Sequence, residues 1–430
     1  MFLSHKLVVV NAIHYHPSSQ ESRVTLTLLL DLDDTLLSNE MGTFMPAYLH
    51  ALGKHLAPYV PPERLIPVLL ATTQLMIQND QPDCSLKDVF DASFFPAIGI
   101  QPEHLQEIIN TFYEEVFPSL RPLTQFRAEA VKLVEEAFAR GYKIAIATNP
   151  LFPKTAVNQR LEWAGLPPSV FPFRLIASYE TFHFAKPNPA FYMETLARLG
   201  WPEGPVIMVG DDLQNDIEPA RRVGLAAFWI SRNGNSPTTV PYGPSVAGDL
   251  ADFFPWVDTT TLAELSPDFS QPVSMAKTLR STPAALASLT ADLSPSQWTH
   301  QPDEGEWSLT EIICHLRDVD HEVNLPRLKK VLRETNPFLA GMDTDPWAAE
   351  RQYKHQDGKA ALHDFTQYRL EILSILDHLS PGDWDRPARH AIFGPTQIRE
   401  LISILAGHDR LHLRQISNTL DLIQKADSSN

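Results

Sequence analysis

The chain has 430 residues, enough for two or three independently buried cores and too many for one small module. With 43% hydrophobic and 20% charged residues it is neither disordered throughout nor fibrous. Its net charge of −17, with no concentrated basic patch, argues against partnership with nucleic acid or an anionic membrane. Two distant cysteines, Cys84 and Cys314, exclude a disulfide scaffold or a zinc–thiolate cluster and fit a reducing cytoplasm, the expected location. No run approaches the ~18 apolar residues of a membrane span.

Residues 1–23 read as an N-terminal extension outside the fold. From Thr25 the run Thr-Leu-Thr-Leu-Leu-Leu leads into Asp31 and predicts a strand buried on both faces. Residues 38–122 contain no strand-like run but several amphipathic helical stretches broken by proline, which predicts a helical insertion over the ligand-bearing edge of a sheet. Further strands are predicted at Lys143–Ala147, Arg174–Ala177, Val206–Val209 and Ala226–Ile230. Helices Ala128–Arg140 and Pro189–Leu199 lie between them, each followed by a glycine. The alternation predicts a parallel α/β sheet over residues 24–265. Asp249–Val257 reads as its last element and 266–273 as a linker. Residues 274–430 carry four long helical patterns, Ala276–Leu293, Ser308–Glu334, Ala360–Leu379 and Thr396–Ile423, and predict an all-α four-helix bundle without strands. Most of the excess acid lies before Ser274.

Asp31-Leu-Asp33-Asp34-Thr35 follows the first strand directly, so its acids meet the carboxyl end of the sheet, where α/β folds bind ligands. Strand alternation points Asp31 and Asp33 the same way, and paired carboxylates call for a cation or a shared proton. A solvated turn with Asx hydrogen bonds is the competing reading of that motif alone. Three later segments supply what phosphoryl chemistry needs. The second strand runs into Thr148-Asn149, Lys186 precedes Pro187-Asn188-Pro189, and the fourth strand ends in Gly210-Asp211-Asp212 with Asp216 beyond. With these four motifs in order, residues 24–260 resemble the haloacid-dehalogenase-like (HAD) hydrolase superfamily. The resemblance implies a Rossmann-like sheet with a helical cap. It implies Asp31 as the nucleophile that forms an aspartyl-phosphate and Asp33 as the acid/base. Thr148 and Lys186 would hold the transferring group. Mg²⁺ would be bound by Asp31, the backbone carbonyl of Asp33 and Asp211, with support from Asp212 or Asp216. Because Asp33 is present, a phosphate ester or anhydride is favoured over a haloacid. Asn39 and Glu40 read as helix-start residues in preference to substrate contacts, and His183 as a surface histidine without a role.

His408-Asp-Arg-Leu-His412 sets two imidazoles at i and i+4 on one helix face. His315 follows Ile312, Ile313 and Cys314 near a buried face. Lone buried histidines are usually core residues, whereas three converging from two helices form a metal site. Trp307-Ser308-Leu309-Thr310-Glu311 leading to His315, together with His408, His412 and Gln415, resemble the DinB-like (YfiT-like) bundles. That resemblance implies Zn²⁺ or Ni²⁺ on the three histidines, with open positions for water or a thiolate. Glu311 and Asp409 are candidate partners of the histidines, or solvated helix charges. His321, His363 and His378 read as structural or surface residues.

The expectation is a cytoplasmic Mg²⁺-dependent phosphatase acting on a small phosphorylated metabolite, fused to a metal-binding bundle through which the chain would dimerise. Two alternatives remain at this stage: a binding protein whose first domain senses a metabolite, and a metal-dependent thiol transferase or hydrolase with its chemistry in the bundle.

Overall fold

The computed structural model describes residues 25–231, 246–303 and 305–428. The expected N-terminal extension and residues 232–245 lie outside the described residues. The chain forms two compact units, divided between Phe269 and Ser270.

The first unit is built on a six-stranded sheet of β1 (Thr27–Leu30), β2 (Lys143–Ile146), β3 (Leu175–Ile176), β4 (Val206–Gly210), β5 (Ala226–Ile230) and β6 (Val246–Gly248). All pairings are parallel, in the order β3-β2-β1-β4-β5-β6. β1 and β4 are buried throughout, as continuous apolar strands covered on both faces must be. Strand order reverses between β1 and β4, so the crevice beyond their carboxyl ends is where such a sheet takes a ligand. Leu30 is in register with both Ile146 and Val209, which sets Asp31 beside the end of β4. β6 was not anticipated: three residues carry too little hydrophobic pattern to read.

Between β1 and β2 the chain leaves the sheet for four helices, α1 (Met41–Leu56), α2 (Pro62–Gln78), α3 (Leu86–Ile98) and α4 (Pro102–Thr111). It returns through a π-helical turn at Phe112–Val116 and a 3₁₀ segment at Phe117–Leu123. Ser38 and Gln125 exchange backbone hydrogen bonds of 3.0 and 2.8 Å, joining the two ends of this cap. Helix α3 escaped the hydrophobic pattern; its start is a capping box in which Ser85 and Asp88 satisfy each other's backbone N–H groups. The sheet is completed by α5 (Ala128–Ala139), α6 (Lys154–Trp163), α7 (Ala190–Arg198) and α8 (Phe253–Thr259). Gly141 and Gly200, just past α5 and α7, take the left-handed conformation expected of them.

The second unit contains α9 (Pro272–Thr290), α10 (Leu309–Val319), α11 (Leu325–Arg333), α12 (Gly358–Asp377) and α13 (Ile398–Ser428). A π-helical turn at Asp320–Asn324 runs α10 into α11, so the two occupy the single long pattern read from the sequence. The four helical rods pack around Leu279, Leu328, Ile372, Ile402 and Leu405. Pro272 and Val273, expected in the linker, already belong to α9.

The sequence predicted no strand beyond Ser274, and the structure corrects this. A small sheet of β7 (Phe338–Leu339), β8 (Pro387–His390) and β9 (Gly394–Gln397) joins the bundle. These strands are short and contain prolines and an arginine, so no apolar run announces them. Among the described residues no helix is long and apolar enough to cross a membrane.

Candidate active site and candidate metal centre

The turn after β1 delivers the first acids. Asp31 N–H donates to Val209 O at 2.9 Å, and the chain then doubles back, with Leu36 and Leu37 N–H donating to Leu32 O and Asp34 at a φ of 59°. Asp31 is 7% exposed. Lys186 Nζ lies 2.8 Å from Asp31 Oδ1 and 2.6 Å from Asp216 Oδ1. Asn149 fixes the lysine's backbone from the loop after β2: Lys186 N–H donates to Asn149 Oδ1 at 3.1 Å, and Asn149 Nδ2 donates to Lys186 O at 3.4 Å. Asp211 follows β4 and accepts from Thr35 Oγ1 at 3.3 Å. One oxygen each of Asp31, Asp211 and Asp216 falls within 4.8 Å of the others. This crowding explains Gly210, because a Cβ there would stand 2.2 Å from Asp216 Oδ2.

Burial, reinforced by the charge of Asp216, pushes the Asp31 carboxyl up to about 7 although Lys186 opposes the shift. Burial likewise raises Asp216. On Lys186 burial disfavours the charge, but Asp216 and Asp31 outweigh it and hold the ammonium above the ordinary lysine range. Three carboxylates against one ammonium leave excess negative charge in a buried volume. All-oxygen donors of this kind match a hard divalent cation.

In the bundle, α10 carries His315 and α13 carries His408 and His412. Their Nε2 atoms converge, His315 to His408 at 3.0 Å and His412 to His408 at 3.1 Å. Around a tetrahedral zinc with ordinary Zn–N bonds such edges measure roughly 3.3 Å, so the donors are nearly in place. Burial, then the charge of His412, lowers His315 to about 3, and burial lowers His408 and His412 as well. All three therefore favour the neutral form that ligates metals. His412 Nδ1 is 3.1 Å from Gln415 Oε1, so a proton on Nδ1 leaves the Nε2 lone pair free to ligate. Trp307 covers the cluster, its ring 5.0 Å from that of His315 and stacked on His412 at 6.1 Å.

Residues 25–224 match the family model described as haloacid dehalogenase-like hydrolase, and residues 278–416 match that of the DinB superfamily. The first segment is thus similar to the HAD-like hydrolases and the second to the DinB superfamily. A phosphoserine phosphatase of Thermus thermophilus is 29% identical over 157 residues, which is 36% of this chain and 59% of that protein, so the chain spans about three fifths of that relative. A protein of Oceanobacillus iheyensis designated a candidate metal-dependent hydrolase is 29% identical over 136 residues, 32% of this chain and 78% of its own length. The solved structure of YfiT from Bacillus subtilis, a four-helix bundle of unusual topology, is 19% identical and covers 38% of this chain and 91% of its own, with a TM-score of 0.33.

Within the HAD-like domain not every residue singled out in the sequence joins the cluster. The Asp33 side chain turns to Arg160 Nη1, at 2.5 Å from Oδ2, and to Asn39 Nδ2, at 2.9 Å from Oδ1. Asp212 is exposed and caps the following π-helical turn, accepting from Gln214 N and Asn215 N at 2.8 and 3.0 Å, so its side chain stands outside the cluster. Thr148 is buried two residues beyond β2. Asn39 is fully buried rather than an ordinary helix-start residue, whereas Glu40 is exposed as expected of one. His183, expected at the surface, is buried with Nδ1 2.9 Å from Glu194 Oε1. Glu194 also accepts from His183 N and Phe184 N and so anchors the loop that carries Lys186.

That loop is tied to the cap as well. Leu86 N donates to Phe182 O at 2.7 Å, Lys87 N to Tyr179 O at 3.0 Å, and Asn79 Nδ2 to His183 O at 2.8 Å. Sequence reasoning missed Arg160, Glu194 and Asn79. Only Asn149 carried a signal, its adjacency to Thr148.

In the DinB-like domain neither Glu311 nor Asp409 bonds the histidines. Glu311 Oε2 completes the capping box with Ser308 and accepts from Gln301. Asp409 is fully buried and accepts from Arg369 and from Thr282 Oγ1, the latter at 2.6 Å. Adjacent helix positions diverge by about 100°, which sends Asp409 away from the face of His408. Cys314 Sγ reaches Gln356 Oε1 at 3.5 Å, His321 stacks on Tyr368, and His363 and His378 are exposed.

Proposed function

We propose that the HAD-like domain is a Mg²⁺-dependent phosphatase for a small phosphorylated metabolite. The observation that carries this reading is the convergence of buried Asp31 and Asp216 and half-buried Asp211 with Lys186, at the point where strand order reverses. Mg²⁺ would be held by Asp31, Asp211 and the Asp33 carbonyl, and when bound it neutralises charge on the phosphoryl oxygens. Asp31 attacks phosphorus as the bond to the leaving oxygen breaks. Asp33 supplies the proton to that oxygen, then takes one from the water that attacks the aspartyl-phosphate, and Asp31 is regenerated as phosphate departs. Lys186 and Thr148 steady the transferring oxygens, and Asp216 holds Lys186 in place. Release of phosphate from p-nitrophenyl phosphate with Mg²⁺, abolished in Asp31→Asn, is the test; a wild-type protein that releases none ends the proposal.

The convergence of three neutral imidazoles supports a second reading, of the bundle as a site for one Zn²⁺ or Ni²⁺. When bound, such an ion would acidify a water or a substrate thiol, with Gln415 fixing the His412 tautomer. Purified protein is expected to carry about one equivalent of metal that disappears in His408→Ala; equal metal content in that variant overturns the assignment.

A further inference from the structure

We propose that Arg160 and Asn39 form a subsite for a carboxylate on the leaving group, so that the substrates are phosphate monoesters of small hydroxy acids. This deepens the phosphatase reading of the same site and rests on it.

Arg160 is 1% exposed. Its Nε donates to Ala156 O at 3.4 Å and its Nη1 to Asp33, while Nη2 is buried with no hydrogen-bond partner. Asn39 gives its Nδ2 to Asp33, and its Oδ1 is likewise buried and unpartnered. Both orphaned atoms thus belong to the two side chains that grip Asp33, the group that meets the leaving oxygen. Leaving a buried donor or acceptor unsatisfied is costly, and a ligand supplying both partners removes that cost.

Two other arginines of this chain show what a guanidinium takes when its nitrogens are filled. Arg369, equally buried, serves Asp320 through Nε and Asp409 through both terminal nitrogens. Arg351 bridges Asp318 and Glu322. Each holds two carboxylates, and Arg160 holds one. The planar fork of N–H groups suits a second carboxylate at Nη2, and a hydroxyl or ammonium on the same leaving group would donate to Asn39 Oδ1. A monoanion fits better than a second phosphate beside Asp31, Asp33, Asp211 and Asp216, because it adds the least negative charge.

The surroundings of Arg160 are aromatic. The guanidinium lies 4.6 Å from the Phe152 ring centre, and that ring packs 5.3 Å from Tyr48. The Tyr48 and Tyr113 hydroxyls are 2.8 Å apart. Burial raises both phenols, and Arg160 is near enough that its charge counters the rise in each.

The test compares kcat/KM with Mg²⁺ for phosphoglycolate and for ethyl phosphate, the same two-carbon ester without the carboxylate, in wild type, Arg160→Gln and Arg160→Lys. Wild type is expected to favour the carboxylate by roughly 100-fold or more, and Arg160→Gln to shrink the ratio below about tenfold. Arg160→Lys keeps a cation beside Asp33 and reports the same loss of preference if the glutamine variant does not fold. Equal losses on both esters would mean that Arg160 acts only through Asp33, and the proposal fails. Calorimetric binding of phosphonoacetate against ethylphosphonate needs no turnover: wild type is expected to bind the first at least about tenfold more tightly. Equal affinity, or no binding of either, overturns the subsite. If p-nitrophenyl phosphate also releases no phosphate, the phosphatase reading falls with it; if phosphate is released, only the subsite falls.

Discussion

Arg369 on α12 and Asp409 on α13 meet with two guanidinium nitrogens against two carboxylate oxygens, Nη2 to Oδ1 at 3.0 Å, and Asp409 is the residue next to His408. Arg369 Nε also reaches Asp320 Oδ2 at 2.7 Å, and all three charges are at most 1% exposed. The network therefore fixes how α13 presents its histidines. Removing one member leaves charge buried without compensation. Arg369→Met is expected to destabilise the bundle by about 3–5 kcal/mol, read from urea unfolding, and to lower metal content alongside. A variant as stable as wild type would show that the triad is not holding the helices.

Gly210→Ala tests the crowding at the end of β4. The added Cβ would collide with Asp216, which positions the Lys186 ammonium. Because the neighbour is a short, buried side chain hydrogen-bonded at both oxygens, it has little room to yield. Phosphate release is expected to fall about 100-fold or more, with a stability loss of about 1–3 kcal/mol by thermal unfolding.

Ser308→Ala removes the cap at the start of α10, one face of which carries His315. Ser308 accepts from Glu311 N, and Glu311 in turn accepts from Ser308 N at 2.9 Å. A loss of about 1 kcal/mol is expected in denaturant unfolding. The same variant should release its metal to a chelator faster than wild type, since the first turns of α10 fray sooner.

His390 gives the bundle a pH dependence independent of the three clustered histidines. Its Nδ1 accepts from Ile392 N at 3.2 Å, its Nε2 is buried without a partner, and burial followed by the charge of Arg327 lowers it to about 4. The folded state thus holds it neutral while the unfolded chain protonates near the ordinary histidine value of about 6.5. Its contribution is complete above that value and is lost as pH falls toward 4. In chelator-treated protein, His390→Leu should flatten the decline in urea stability between about pH 6.5 and 4; an unchanged slope would mean that His390 is not the group being titrated.

Asn79→Ala tests the tie between the cap and the Lys186 loop. Asn79 Nδ2 reaches His183 O from the end of α2, beside the backbone bonds of Leu86 and Lys87. If this tie positions the lysine, the variant loses kcat more than it raises KM, by about tenfold. A change confined to KM would place Asn79 in substrate access instead.

The sequence alone determined the order of a parallel α/β sheet followed by a helical bundle and the points where chemistry attaches to them, but not β6 or the small sheet β7–β9, whose short strands carry no apolar run. Each acidic motif follows an apolar run, so the strand that buries the run delivers Asp31 or Asp211 to the sheet's edge, and helical spacing alone brings His408 toward His412. That logic is local, and periodicity carries it. The grip on Asp33 is different in kind: Arg160 comes from 127 positions away in the middle of a helix and Asn39 from the start of the cap, with no pattern linking them. Asp409 is the mirror case, a charge beside a histidine whose partner Arg369 lies on another helix. Only the tertiary structure chooses such partners, because a buried ion pair is decided by which side chains share a low-dielectric volume after packing, and neighbours in sequence do not report that volume.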